Sequence, residues 1–171
     1  MSLSVHLTQD WPLERLARYG PELVAAMKKL VRRFPDELSV RTLFEQIMRG
    51  EQQLWLILDE SEAFKAFATS EITISEFTGK RRVILCELAG AGGVDLTDLI
   101  EPFEDWAREI GAAEVHVIGR TGWRKALATH GFKPFIMRYR KVVRNGRQII
   151  ETDDNECTSR MEQAALPAIG G

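Results

Sequence analysis

Residues 81–132 carry the pattern that most limits what this chain can fold into. An apolar strand at 81–89 runs into a glycine loop at 90–93, then a helix at 95–110 and a second strand at 114–120. A short helix closed by Gly131-Phe132 follows. Strand, crossover helix and strand make a βαβ unit, which is parallel and right-handed in nearly all cases. A ligand of such a unit sits at the carboxyl end of the first strand, facing the start of the crossover helix. Unpaired N–H groups and the helix dipole favour an anion there. The candidate site is therefore residues 87–94.

The crossover helix has the clearest periodicity in the chain. Leu96, Leu99, Ile100, Phe103, Trp106, Ala107 and Ile110 fall on one buried face. Asp95 or Asp98 would cap it and Gly111 would end it. Pro102 requires the regular helix to begin near Asp98 or to bend there. Trp106 lies on this stripe and reads as core, not as a stacking residue. After the second strand, Thr121 is a candidate cap for the short helix, whose inward face would be Trp123, Ala126, Leu127 and His130.

Upstream, residues 1–9 alternate as a short strand, with Val5 and Leu7 on one side. Asp10 can cap the next segment, with Pro12 near its first turn. Two helical stripes follow, one at Leu23, Met27, Leu30 and Val31 and one at Val40, Leu43, Phe44 and Ile47. Lys28, Lys29, Arg32 and Arg33 crowd the end of the first, where cations complement the helix dipole. The period then changes to strands at 54–58, 63–74 and 81–89, joined by short turns as an antiparallel meander. At the far end, residues 133–143 and 147–152 flank Arg144-Asn145-Gly146, and Asn-Gly between apolar runs signals a hairpin. Its basic residues read as a solvated face. The expected organisation is one domain over residues 1–152 and a tail at 153–171.

A chain of 171 residues, 44% hydrophobic and 28% charged, suffices for one core. Its net charge of -2 argues against a nucleic-acid partner, and no apolar run approaches the ~18 residues needed to span a membrane. Cys86 and Cys157 imply neither a metal site nor a disulfide framework, and Cys86 reads as core. The N-terminus lacks the shape of a signal peptide, so the expected compartment is the reducing cytoplasm.

The order helix–helix–meander–helix–strand–helix–hairpin resembles the GNAT (GCN5-related N-acetyltransferase) superfamily over residues 1–152. Two local matches carry the likeness. Cys86-Glu87-Leu88-Ala89 resembles the acidic-Leu-x-Val end of the family's cofactor-binding strand, and residues 126–132 resemble its closing Gly-Phe helix. The fold class implied is α+β (α/β): a single-domain GNAT-like fold whose mixed central sheet combines the meander, the βαβ unit and the C-terminal hairpin.

The resemblance implies acetyl-CoA as cofactor, Glu87 as general base, and backbone amides from Leu88 through Gly90, Gly92, Gly93 and Val94 around its diphosphate. Arg120 stands where an Asn commonly helps hold the cofactor. The chain also departs from the family. Its loop, Gly90-Ala91-Gly92-Gly93-Val94-Asp95, lacks the family's basic residue and brings in acidic Asp95, with Asp98 beyond. Leu127 replaces the Tyr that protonates the leaving thiolate, leaving His116 or His130 as substitutes, and Trp123 replaces a small residue on the cofactor side.

Two readings follow. In one, the protein is an acetyl-CoA-dependent N-acetyltransferase using Glu87, with Arg120 or the hairpin cations on the phosphates. In the other, favoured by the departures, the fold has lost catalysis and holds no cofactor. It then resembles degenerate GNAT-like proteins of tailed-phage virions and their assembly, and acts as a structural or interaction module. It would bind a protein partner or self-associate through residues 153–171.

Overall fold

Strands β1 (Leu3–Leu7), β2 (Gln53–Asp59), β3 (Phe64–Ile74), β4 (Arg81–Gly90) and β5 (Glu114–Val117) form one sheet in that order. The first four pair antiparallel and β5 joins β4 in parallel, so the meander feeding a βαβ unit is present. The computed structural model describes residues 3–90, 97–119, 121–136 and 141, with backbone only at 97, 98 and 121. The chain divides after Phe135, and Met1–Phe135 holds all the described strands and helices. The tail at 153–171, and the expected hairpin apart from 133–136 and 141, lie outside the described residues.

Helices α1 (Leu13–Ala17), α2 (Gly20–Arg33) and α3 (Val40–Met48) precede β2, α4 (Thr97–Glu109) is the crossover, and α5 (Arg124–Thr129) follows a 3-10 turn at Thr121–Trp123. The continuous apolar run of β2 is explained by helices on both of its faces. Leu54, Leu56, Leu58 and Phe67 pack with Leu23, Met27, Leu30 and Leu43 from α2 and α3. Trp55, Ile57, Ala66, Ala68, Val83 and Leu85 pack with Leu99, Phe103 and Ala107 of α4.

Trp55 centres the second cluster. Its ring meets Phe103 at 4.4 Å and Trp106 at 5.1 Å, both edge-on, so Trp106 packs against the core from its stripe while remaining partly exposed. Its Nε1–H donates to Ser70 Oγ at 2.9 Å, and that hydroxyl donates to Gln53 Oε1 at 3.1 Å. No described helix is long and apolar enough to cross a membrane.

Several local expectations need correction. Asp10 caps nothing: Pro12 is the N-cap of α1, with no side-chain bond, and a break at Tyr19 separates α1 from α2. The cap the sequence did not reveal is Ser39, whose Oγ accepts the Thr42 N–H at 3.0 Å. Thr121 opens the 3-10 turn, and α5 takes Trp123 as N-cap without a side-chain bond. Strand β5 stops at Val117, three residues short of the expected end, because its parallel pairing with β4 stops there. Pro102 sits inside α4, which is already helical at Thr97.

Ser70→Ala removes the hydroxyl that accepts the buried Trp55 indole N–H while changing little volume. Stability should fall by about 1–3 kcal/mol, seen as a lower urea midpoint at unchanged slope. An unshifted midpoint would show that the bond contributes nothing.

Candidate active site

The site begins where β5 leaves β4. Their pairs run from Arg82↔Glu114 to Leu85↔Val117, and a last bond joins the Ile118 N–H to the Leu85 carbonyl at 2.9 Å. Strand β4 continues to Gly90, so among the described residues the edge of its last five residues that faces β5 has no strand beside it. A bulge marks the same place: Ser70 pairs with Leu85 but Thr69 with Glu87, leaving Cys86 as the extra residue. Past the bulge, the backbone is held tightly to β3. A Cβ on Gly90 would lie 2.2 Å from the Lys65 carbonyl oxygen, so this position accepts only glycine.

The wedge between the diverging strands is narrow. A cavity of about 20 Å³ remains, bordered by Glu87, Leu88, Phe103, Val117, Ile118 and Trp123, room for about one water. Trp123 makes it narrow. A Cβ on Gly119 would lie 2.7 Å from Trp123 Cε3, so the indole rests against bare backbone. The sequence placed Trp123 on the cofactor side, and it does line this wedge.

Glu87 borders the wedge, and its side chain follows from alternation. Leu88 belongs to the α4-side cluster and Ala89 to the α2-side cluster, which sets Glu87 on the α2 side. Burial pushes its carboxyl above the ordinary range, and the charge of Glu37, in the turn after α2, adds to the rise. Its cross-strand partner Thr69 is fully buried, and Thr69 Oγ1 has no hydrogen-bond partner among the described residues. Cross-strand pairs share a face at about 5 Å, so a buried hydroxyl lies next to the raised carboxyl. Burial, then Glu71 and Glu87, push the Cys86 thiol up to about 12, which keeps it protonated and inert.

Of the other expected site residues, Leu88 and Gly90 lie along the open edge of β4. Gly92, Gly93, Val94 and Arg120 lie outside the described residues, as does Asp95. The histidines do not substitute for the missing acid at this wedge. His116 Nε2 is 2.9 Å from Glu114 Oε2 and its ring meets Phe135. His130 borders a separate groove of about 360 Å³ with Glu104, Arg108, Glu114 and Phe132, at the amino end of β5. Ligands of parallel sheets bind at the other end, so volume does not make that groove the site. The sequence reading missed Thr69, Glu37 and Lys29. Lys29 Nζ donates to the Gly90 carbonyl at 3.3 Å, although the residue had been assigned only to the helix dipole.

No family model and no curated protein sequence matches the chain. Solved structures do. A probable acetyltransferase superposes with a TM-score of 0.57 at 21% identity, covering 85% of this chain and 100% of its own. A putative acetyl transferase from Pyrococcus furiosus gives 0.56 at 17%, with 83% and 100% covered. Glucosamine-6-phosphate N-acetyltransferase from Arabidopsis thaliana gives 0.57 at 11%, with 83% and 99% covered. A Staphylococcus aureus protein described as a GNAT family acetyltransferase also superposes, at 0.55 and 9% identity. The fold is that of the GNAT acetyltransferases.

The Glu87 environment has a consequence for stability. An acid whose pKa rises on folding binds its proton more tightly when folded, so its contribution falls as pH climbs through the raised value. Glu87→Gln should therefore raise the melting temperature at pH 7–8 and leave it unchanged near pH 3, well below the ordinary carboxyl value, where both side chains are neutral. Thermal melts across pH check this; the opposite trend would mean that the carboxylate is stabilised in place.

Proposed function

We propose that this protein transfers an acyl group from a coenzyme A thioester to an amine, with Glu87 as general base. The observation that carries it is a carboxyl of raised pKa at the open edge of β4, where β5 has left. A base works best when its pKa approaches the operating pH, and burial moves Glu87 in that direction. The acetyltransferases of the same fold support this reading.

The roles divide across β4. On the α2 side, Glu87 takes a proton from the incoming ammonium, directly or through one water, and Thr69 Oγ1 can donate to the carboxylate or that water. As the amine attacks, the C–N bond forms, the C–S bond breaks, and the thiolate takes a proton from solvent. The thioester supplies the activated acyl group. On the wedge side, the backbone edge of Leu88 and Gly90, which no described strand pairs, offers hydrogen bonds to an extended amide-bearing arm, as a sheet edge does to an added strand. A cavity of about 20 Å³ cannot admit that arm, so Trp123 has to move aside.

The same ring favours a second reading, in which the wedge is permanently filled and the fold serves as an interaction module without catalysis. The two separate on one titration. Acetyl-CoA at 100 times its dissociation constant should stabilise the native state by about 2.7 kcal/mol, visible as a higher melting temperature. Glu87→Gln should keep that shift and lose acyl transfer by about 100-fold or more. No shift at millimolar acetyl-CoA selects the module. Trp123→Ala should strengthen the shift if the indole is a movable barrier, and a weaker shift would make it part of the binding wall.

A further inference from the structure

The acyl donor carries a diphosphate, and the sequence offers it no cation at the expected place. From Val83 to Ala107 the chain has no Lys or Arg, whereas Asp95 and Asp98 follow Gly90 closely. A cation for an anion at the carboxyl end of β4 must therefore come from another element, and the structure brings one there. Lys29, on the exposed side of α2, reaches the last residue of β4, its Nζ 3.3 Å from the Gly90 carbonyl. That bond uses one of three ammonium donors.

Lys29 is not isolated. Arg32 and Arg33 follow at i+3 and i+4, hence on the same helix face, and both are exposed. None of the three has an acidic partner within ion-pair distance among the described residues, although Arg15, Arg41, Arg49, Arg82 and Arg108 all do. A cationic last turn does complement the helix dipole, but the dipole does not direct one ammonium to the end of a strand on another element. Glu87 lies three residues back along β4, about 10 Å at strand spacing and about one Debye length away. Its charge weakly opposes an anion beside Lys29.

We propose that Lys29, supported by Arg32 and Arg33, binds the diphosphate of the acyl donor, supplying from α2 the charge that the loop after β4 lacks. This rests on the acyltransferase reading above. The geometry explains how a loop with two carboxylates and no cation is compatible with a polyanionic substrate: Lys29 reaches the strand end, and two further cations follow one turn along the same helix face.

The test uses the full chain and two probes with the same thioester arm: acetyl-CoA, and S-acetylpantetheine, which lacks the diphosphate. Lys29→Ala should weaken acetyl-CoA binding about 10-fold in calorimetric titration, the size of a lost charge-assisted hydrogen bond. It should leave S-acetylpantetheine within twofold. Lys29→Arg should recover most of the loss, and Lys29→Glu should deepen it. Unchanged acetyl-CoA affinity in Lys29→Ala would overturn the assignment, as would an equal loss for both probes. Those results leave the acyltransferase reading standing. A wild-type chain that binds neither probe overturns both.

Discussion

The parallel pairing between β4 and β5 stops after four residue pairs, and the rest of the site depends on that stop. Had β5 kept pace with β4, the backbone of Leu88 and Gly90 would be consumed by sheet hydrogen bonds. Glu87 would then sit in an ordinary interior strand. Because the pairing with β5 ends at Val117, half of β4 keeps one set of backbone donors and acceptors that no described strand uses. The bulge at Cys86 falls at the same level and resets the alternation, so that Glu87, not its neighbour, is placed beside Thr69.

Leaving a strand edge uncovered is costly unless the remainder of the sheet is well held, and here it is. Strand β2 and the Ala66–Ser70 part of β3 are buried on both faces, and the Trp55 ring locks β2 to α4 through Phe103 and Trp106 while its N–H is satisfied across to Ser70. Gly90 lets β3 and β4 approach so closely that the end of β4 cannot drift from its neighbour. Rigidity on one side of the strand is what permits openness on the other.

Much of this architecture was legible in the sequence because it rests on periodicity. The α4 stripe, the two-faced run of β2 and the meander before the βαβ unit each follow from where apolar residues recur. Glu87 was singled out by likeness; its half-buried place beside the wedge is what the structure adds. What the sequence could not show are features made by register or by contact between distant elements. The bulge is a property of a strand pair, so the pairing of Thr69 with Glu87 has no one-dimensional signal. Glu37 acts across a turn that looks like any polar loop, and Lys29 looked like a helix-end cation because its target is a backbone carbonyl sixty-one residues away. The misplaced caps have a simpler cause: Asp10 and Thr121 have the right chemistry, but the chain begins its helices a few residues later.

The indole of Trp123 rests on Gly119, a residue with no side chain to hold or hinder it. Displacing the ring therefore calls for rotation about side-chain torsions, with no peptide needing to change conformation. Loops and lids, by contrast, move over nanoseconds to milliseconds. Opening the wedge would then require no movement of a loop or lid.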